Sequence, residues 1–216
     1  MIIGIIYKFV LLLVTIKSYN LSRKLTFSTQ NYLLIYLSVS LFIEVISFSL
    51  YVISPNSKNG LLYNLYNIFS ISFFYLYFSK ILKYNFKKLS FLITIISTLY
   101  ILFFTSFLSI DFDKNIGITL LLFYLANSLL WFYQKISFFD DHKITDDPAF
   151  WISTGLLMWS CFFLFRVTPM FYFAKEDKEF LEFLKVGQNI INIVMYIMFY
   201  ISLKKYEKLR YGSYSR

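Results

Sequence analysis

The chain has 216 residues, of which 58% are hydrophobic, 23% aromatic and only 15% charged, with a net charge of +9. A soluble domain of this length needs about a quarter of its residues charged to cover its surface, so this composition excludes a soluble globular fold. A single cysteine, Cys161, excludes a disulfide scaffold, and 27 Phe with 19 Tyr exclude a disordered chain.

The apolar residues fall into seven runs of a length that crosses a bilayer as a helix. They are Ile2–Ile16, Tyr32–Ile53, Leu61–Leu82, Leu89–Ile110, Ile116–Phe138, Ala149–Phe173 and Phe180–Leu203. Each is continuous, whereas barrel strands alternate over about ten residues. The expected fold is therefore an all-α polytopic membrane protein, a seven-transmembrane-helix bundle over residues 1–204 with a basic cytoplasmic tail at 205–216. The first run is the shortest. Its basic flank, Lys17, Arg23 and Lys24, follows it, which suits a retained helix more than a cleaved signal peptide.

The breaks between runs carry turn chemistry. Ser54-Pro55-Asn56-Ser57-Lys58-Asn59-Gly60 follows the second run, and Asp111-Phe112-Asp113-Lys114-Asn115 separates the fourth from the fifth. Asp147 is placed to cap the sixth helix, with Pro148 in its first turn. The segment from Lys175 to Glu179 precedes the seventh helix.

Lys17, Arg23, Lys24, Lys80, Lys83, Lys87, Lys88, Lys135, Lys143, Lys204, Lys205, Lys208, Arg210 and Arg216 fall on one side of a seven-span path. Lys58, Lys114, Lys175 and Lys178 fall on the other. The richer side reads as cytoplasmic, giving an N-terminus outside and a C-terminus inside, in an inner membrane. No basic stretch has the length or aromatic interleaving of a nucleic-acid groove, so the net charge points to anionic headgroups. Trp131, Tyr133 and Trp151 are expected near the cytoplasmic interface, and Tyr51, Tyr63 and Tyr172 near the outer one.

Charges within the spans cost about 2.5–3.5 kcal/mol each on insertion scales and each asks for a reason. Glu44 lies mid-span in the second run and Arg166 in the outer half of the sixth. Asn64 and Asn67 share a face of the third, and Gln188, Asn189 and Asn192 share the outer half of the seventh. The expectation is an outward-opening ligand pocket floored by Glu44 and walled by Arg166, Asn64, Asn67, Gln188, Asn189 and Asn192. Two other readings stand beside it: polar residues gluing helices together, and an ion path. On the structural alternative, Lys8 and Lys185 snorkel to the surface.

Recognisable catalytic chemistry is missing. The sequence has no nucleotide-binding, metalloprotease or nucleophile-elbow motif, Cys161 has no adjacent base, and every Asp lies in a loop. The loop from Asp140 to Asp147 around the lone His142 matches no metal-ligand spacing. No enzyme activity, cofactor or metal site is therefore expected.

The segment Asp147-Pro148-Ala149-Phe150-Trp151-Ile152-Ser153-Thr154-Gly155-Leu156-Leu157 resembles a P-x-F-W-I-x-x-G-x-L signature of small bacterial multi-pass proteins. Those proteins are similar to the membrane-sensor regions of two-component systems. The chain departs from the pattern at Trp159-Ser160-Cys161, where the resemblance leads one to expect a Tyr followed by small residues. The resemblance implies a receptor-like, signal-transducing membrane protein with a cytoplasmic kinase or regulator as partner. It carries over no functional residue. A small transporter or oligomeric pore, possible as a homo-oligomer, is the alternative class, and an accessory subunit of a larger membrane complex the third.

Overall fold

The computed structural model of the chain describes residues 2–24, 29–54, 58–138, 143–173 and 178–214. These form seven α-helices: α1 (Ile2–Lys24), α2 (Thr29–Ile53), α3 (Gly60–Ile81), α4 (Tyr84–Phe104), α5 (Lys114–Ser137), α6 (Pro148–Phe173) and α7 (Lys178–Tyr214), with a short 3-10 turn at Ile144–Asp146. Every one of the seven is long and apolar enough to cross a membrane. The chain is an all-α multi-pass membrane protein.

Successive helices run antiparallel. Ser40 of α2 meets Tyr66 of α3, and Gln30 at the start of α2 meets Tyr77 near the end of α3. Trp159 of α6 meets Asn192 of α7, and the Pro148 carbonyl at the start of α6 accepts from Ser202 late in α7. The first and last helices run parallel: Tyr7 stacks on Tyr196, and Lys17 pairs with Glu207. Six helices close a ring in the order α1–α2–α3–α5–α6–α7, and α4 lies outside it against α3 and α5.

The sequence predicts α1 as a short helix ending at Ile16, but it continues to Lys24. Its buried positions Tyr7, Leu11, Val14, Ser18 and Leu21 recur at alternating spacings of four and three, one continuous face. That face needs a partner along its whole length, and α7 supplies one because it also runs past its expected end at Leu203, without a break, to Tyr214. At 1.5 Å per residue the 37 residues of α7 span about 55 Å, well beyond a hydrocarbon core of about 30 Å.

The fourth helix shows the largest shift, from the expected Leu89–Ile110 to Tyr84–Phe104. Hydropathy assigns Phe107, Leu108 and Ile110 to the span. Hydrogen bonds assign them to a loop. Asn64 donates to the carbonyls of Asp111 and Ser109 and accepts from the Asp113 amide, while Asp113 accepts from the amides of Ser106 and Asn115. Asp113 thereby caps α5, and Asp147 caps α6 by accepting from the Ala149 amide, with Pro148 as first residue as the sequence suggests.

Large apolar side chains face outward all along the bundle, Phe42, Phe103, Phe104 and Phe165 among them. An exposed apolar surface of this extent fits lipid as its solvent. On α4, Ser90, Ser97 and Ile101 are the buried positions, so α4 touches the ring along a single narrow, partly small-residue seam. Trp131, expected at the interface, is 1% exposed in the core, where it packs edge-on against Phe132 and Phe150. The side chain of Tyr172 lies outside the described residues.

Gly60 sits where the start of α3 meets the α4–α5 loop. A Cβ there would lie 2.2 Å from backbone atoms of Asp111 and Phe112, which have no rotamer with which to give way. At Gly155 a Cβ would meet Met198 and Phe199 at 3.4 Å, an ordinary contact. Gly60→Ala is expected to destabilise the protein by about 1–3 kcal/mol or more, while Gly155→Ala stays within about 0.5 kcal/mol of wild type. Thermal unfolding in detergent measures both.

Candidate functional site

A polar atom inside lipid has no water to bond with, so its partners must come from the protein. In this bundle they are chiefly phenols. Tyr36 is buried and Tyr66 partly buried within the ring, and the Tyr66 hydroxyl donates to that of Tyr36 at 3.0 Å. The Ser40 hydroxyl joins Tyr66 at 2.7 Å, and Ser40 and Ser70 bond back to the carbonyls of Tyr36 and Tyr66. The hydroxyls of Tyr124 from α5 and Tyr196 from α7 approach the same group. A phenol both donates and accepts, so such a cluster satisfies itself without a charge.

Below the phenols, toward the end where α7 finishes, comes a layer of rings. Phe74 and Phe199 are fully buried, and Phe73, Phe74 and Phe199 pack around the Tyr36 ring. Beyond that layer a second polar group forms: Gln30 donates to Tyr77, and Ser202 lies beside Gln30 and donates to the Pro148 carbonyl. Asn127 bonds with Ser90, and Gln134 accepts from the Lys83 amide. Buried polar residues therefore occupy both halves of the bundle, whereas the sequence suggested one.

Glu44 lies on α2 about 14 Å from the helix end at Ile53, by helical rise. Its partner is Lys8 of α1, at 3.6 Å, with the ammonium also over the Phe48 ring at 4.8 Å. Tyr7 and Tyr63 flank the carboxylate. The side chains are 36% exposed for Lys8 and 16% for Glu44, so the pair is partly buried between α1 and α2. Lys8 thus has a carboxylate partner on α2.

Arg166 does not meet Glu44. In the ring, α6 is separated from α2 by α7 and α1 on one side and by α5 and α3 on the other. Among the described residues Arg166 forms no ion pair. The other expected pocket residues divide as well. Asn64 holds the α4–α5 loop. Asn67 is buried at 8% exposure one turn deeper on α3. Asn189 faces Gly4 of α1, where a Cβ would lie 3.6 Å from its amide nitrogen. Asn192 accepts from the Trp159 indole at 2.8 Å and from Gln188 at 3.1 Å, and the Gln188 carbonyl oxygen is buried without a hydrogen-bond partner among the described residues.

The expected single pocket is replaced by two polar seams on either side of α7. In one, Asn189 faces α1, whose Lys8 pairs in turn with Glu44 of α2; in the other, Gln188 and Asn192 meet Trp159 of α6. A shallow open depression lies at the loop residues Ser106, Asp111, Asp113 and Asn115, away from both. Sequence reasoning overlooked the tyrosine cluster because 19 tyrosines are spread over the chain and spacing alone does not single these out. The i, i+3 pair Tyr63 and Tyr66, beside Asn64 and Asn67, was the available signal for a polar helix face.

At the opposite end, ion pairs tie α7 to its neighbours: Lys17 with Glu207, and Lys205 with Asp146 at 2.6 Å, while Lys135 pairs with Asp147 at 2.8 Å. The Lys205 ammonium holds the Asp146 carboxyl below the usual carboxylate range. That contribution is present above the ordinary carboxylate pKa and fades as pH falls through the lowered value. His142, central to the acidic loop, lies outside the described residues, and two carboxylates of that loop, Asp146 and Asp147, are engaged by lysines.

Comparison with protein-family models, curated proteins and solved structures gives no match.

The Lys8–Glu44 pair predicts a specific pattern of coupling. Removing one partner leaves a partly buried charge uncompensated, so Lys8→Met or Glu44→Gln alone is expected to cost about 1–3 kcal/mol. The double variant is expected to recover most of that loss. A double-mutant cycle by thermal unfolding in detergent reads the coupling, and strictly additive effects would contradict the pairing.

Proposed function

We propose that the chain is a receptor-like, signal-transducing protein of a bacterial inner membrane, without enzymatic activity, with its N-terminus outside and its C-terminus in the cytoplasm. The supporting observation is the course of α7. One continuous helix carries Asn189, Gln188 and Asn192 in the two polar seams. It then passes the phenyl layer at Phe199 and emerges bearing Lys204, Lys205, Lys208 and Arg210. A small ligand or a change in the membrane that alters either seam acts on this helix directly. Its far end is held by the pairs Lys17–Glu207 and Lys205–Asp146, and a small rotation or slide of α7 would remake them. A relay of this kind requires two packings a few kcal/mol apart that the stimulus binds unequally.

The basic end is the natural cytoplasmic side on the lysine and arginine bias, and the emerging α7 is the surface for a kinase or regulator there. The phenyl layer of Phe73, Phe74 and Phe199 favours signalling over transport, because it lies between the polar group around Tyr66 and the one around Tyr77.

Two measurements test the reading. Reporter fusions after Asn85 and after Gly212 are expected to report the same, cytoplasmic side. A photocrosslinker in place of Lys208 in the full chain is expected to capture a cytoplasmic kinase or response regulator in cells. Ion flux through proteoliposomes holding the purified chain alone, abolished by Glu44→Gln, would contradict it and establish a pore.

A further inference from the structure

Arg166 and Lys185 remain unassigned by the two seams. Arg166 is half-buried on α6 and Lys185 exposed on α7, and among the described residues neither takes part in an ion pair or a hydrogen bond. Their positions coincide. Trp159 and Asn192 touch across the α6–α7 seam. Arg166 is seven residues after Trp159, and Lys185 seven before Asn192, so two turns in each helix bring both cations to one level on one face. The helices are still closely packed there, since a Cβ at Gly187 would lie 2.5 Å from the Phe162 ring.

The depth of this level follows from a fixed point at the other end, the bond from Ser202 to the Pro148 carbonyl. Arg166 is eighteen residues from Pro148, and Lys185 seventeen from Ser202. At 1.5 Å per residue both lie about 26–27 Å from that contact. The hydrocarbon core is about 30 Å thick, so a bundle whose α6 begins at one interface presents both cations at the opposite one. Phe165, the residue before Arg166, is apolar and outward-facing at 74% exposure. Glu182, one turn from Lys185, is exposed and makes no ion pair with it among the described residues.

We propose that Arg166 and Lys185 form a headgroup site for an anionic phospholipid, with the lipid phosphate between the two cations and an acyl chain against the outward face of Phe165. A guanidinium offers five donors in a planar fork suited to phosphate, and an ammonium beside it adds a point charge. Lipid is the source because the flanking surface that would hold the remainder of the ligand is apolar and faces outward; a free phosphate would make no use of it. The buried Gln188 carbonyl oxygen, unpartnered among the described residues, lies one turn below Lys185, so occupancy of the site adjoins the α6–α7 polar seam. The site does not depend on the signalling function proposed above and stands if that reading fails.

Cys161, the sole cysteine and an exposed one, lies five residues from Arg166 and provides a local reporter. The experiment places a fluorophore on Cys161 of the full chain in liposomes containing brominated phosphatidylglycerol or brominated phosphatidylcholine at equal mole fraction. Quenching by the anionic lipid is expected to exceed that by the zwitterionic one by about twofold or more at low salt, as local enrichment by two cations requires. The excess is expected to shrink in Lys185→Gln, whose exposed position does not threaten folding, and to vanish in Arg166→Gln/Lys185→Gln. It is expected to persist in Lys208→Gln, a cation at the far end of α7. Equal quenching by both lipids in wild type, or an excess unchanged in the double variant, would overturn the site. Loss of the excess on adding millimolar inorganic phosphate at constant ionic strength would overturn the lipid as its occupant.

Discussion

The absence of water inside a bilayer governs this structure more than any single contact. Backbone groups satisfy themselves within helices, and side-chain polar atoms must find one another. Six helices close into a ring because each contributes to a shared interior: Tyr7 from α1, Tyr36 and Ser40 from α2, Tyr66 and Phe74 from α3, Tyr124 from α5, Trp159 from α6 and Tyr196 and Phe199 from α7. Phenols suit that interior. They bury large apolar rings and bring a hydroxyl that pairs without a net charge. The fourth helix adds little to this interior and lies outside the ring, its contact reduced to one seam.

Charge is handled differently at different depths. Within the span, Glu44 and Lys8 neutralise each other between α1 and α2, and the nearby phenols of Tyr7 and Tyr63 add polar surroundings. At the basic end, carboxylates on one element meet lysines on another, which fixes α7 against α1 and against the turn before α6. The same helix therefore joins the charged end of the molecule to both polar seams. That continuity is what makes α7 the relay in the proposed function.

Much of the fold was legible in the sequence because hydropathy over about 20 residues reads membrane solvation directly. The seven spans and the cap of α6 by Asp147 and Pro148 follow from such local signals. Boundaries set by tertiary partners were not legible. α1 extends beyond Ile16 because α7 is there to receive Ser18 and Leu21. α4 ends at Phe104 because Asn64 and Gly60 engage the next segment. The site was legible in its residues but not in its pairing. Glu44 and Arg166 share a half of the membrane by depth, yet depth says nothing about position around a ring. The closure of that ring through parallel α1 and α7 decides that Glu44 meets Lys8. Of the residues that carry the resemblance, Gly155 falls on the α6–α7 contact, facing Met195, Met198 and Phe199, while Phe150 packs on Trp131 and Phe132 of α5 and Trp151 donates to the Thr145 carbonyl.

Ring closure is therefore the claim on which the two seams and the role of α7 depend. It is tested most directly by cross-linking in native membranes, with cysteines in place of Lys17 and Glu207 in a Cys161→Ser background and a short bis-thiosulfonate reagent. The structure requires rapid intramolecular cross-linking of 17 to 207 and none of 17 to a cysteine at 182, which lies toward the other end of α7. Failure of the first pair, or preference for the second, would mean that α1 and α7 do not run side by side in parallel and that the ring is not closed.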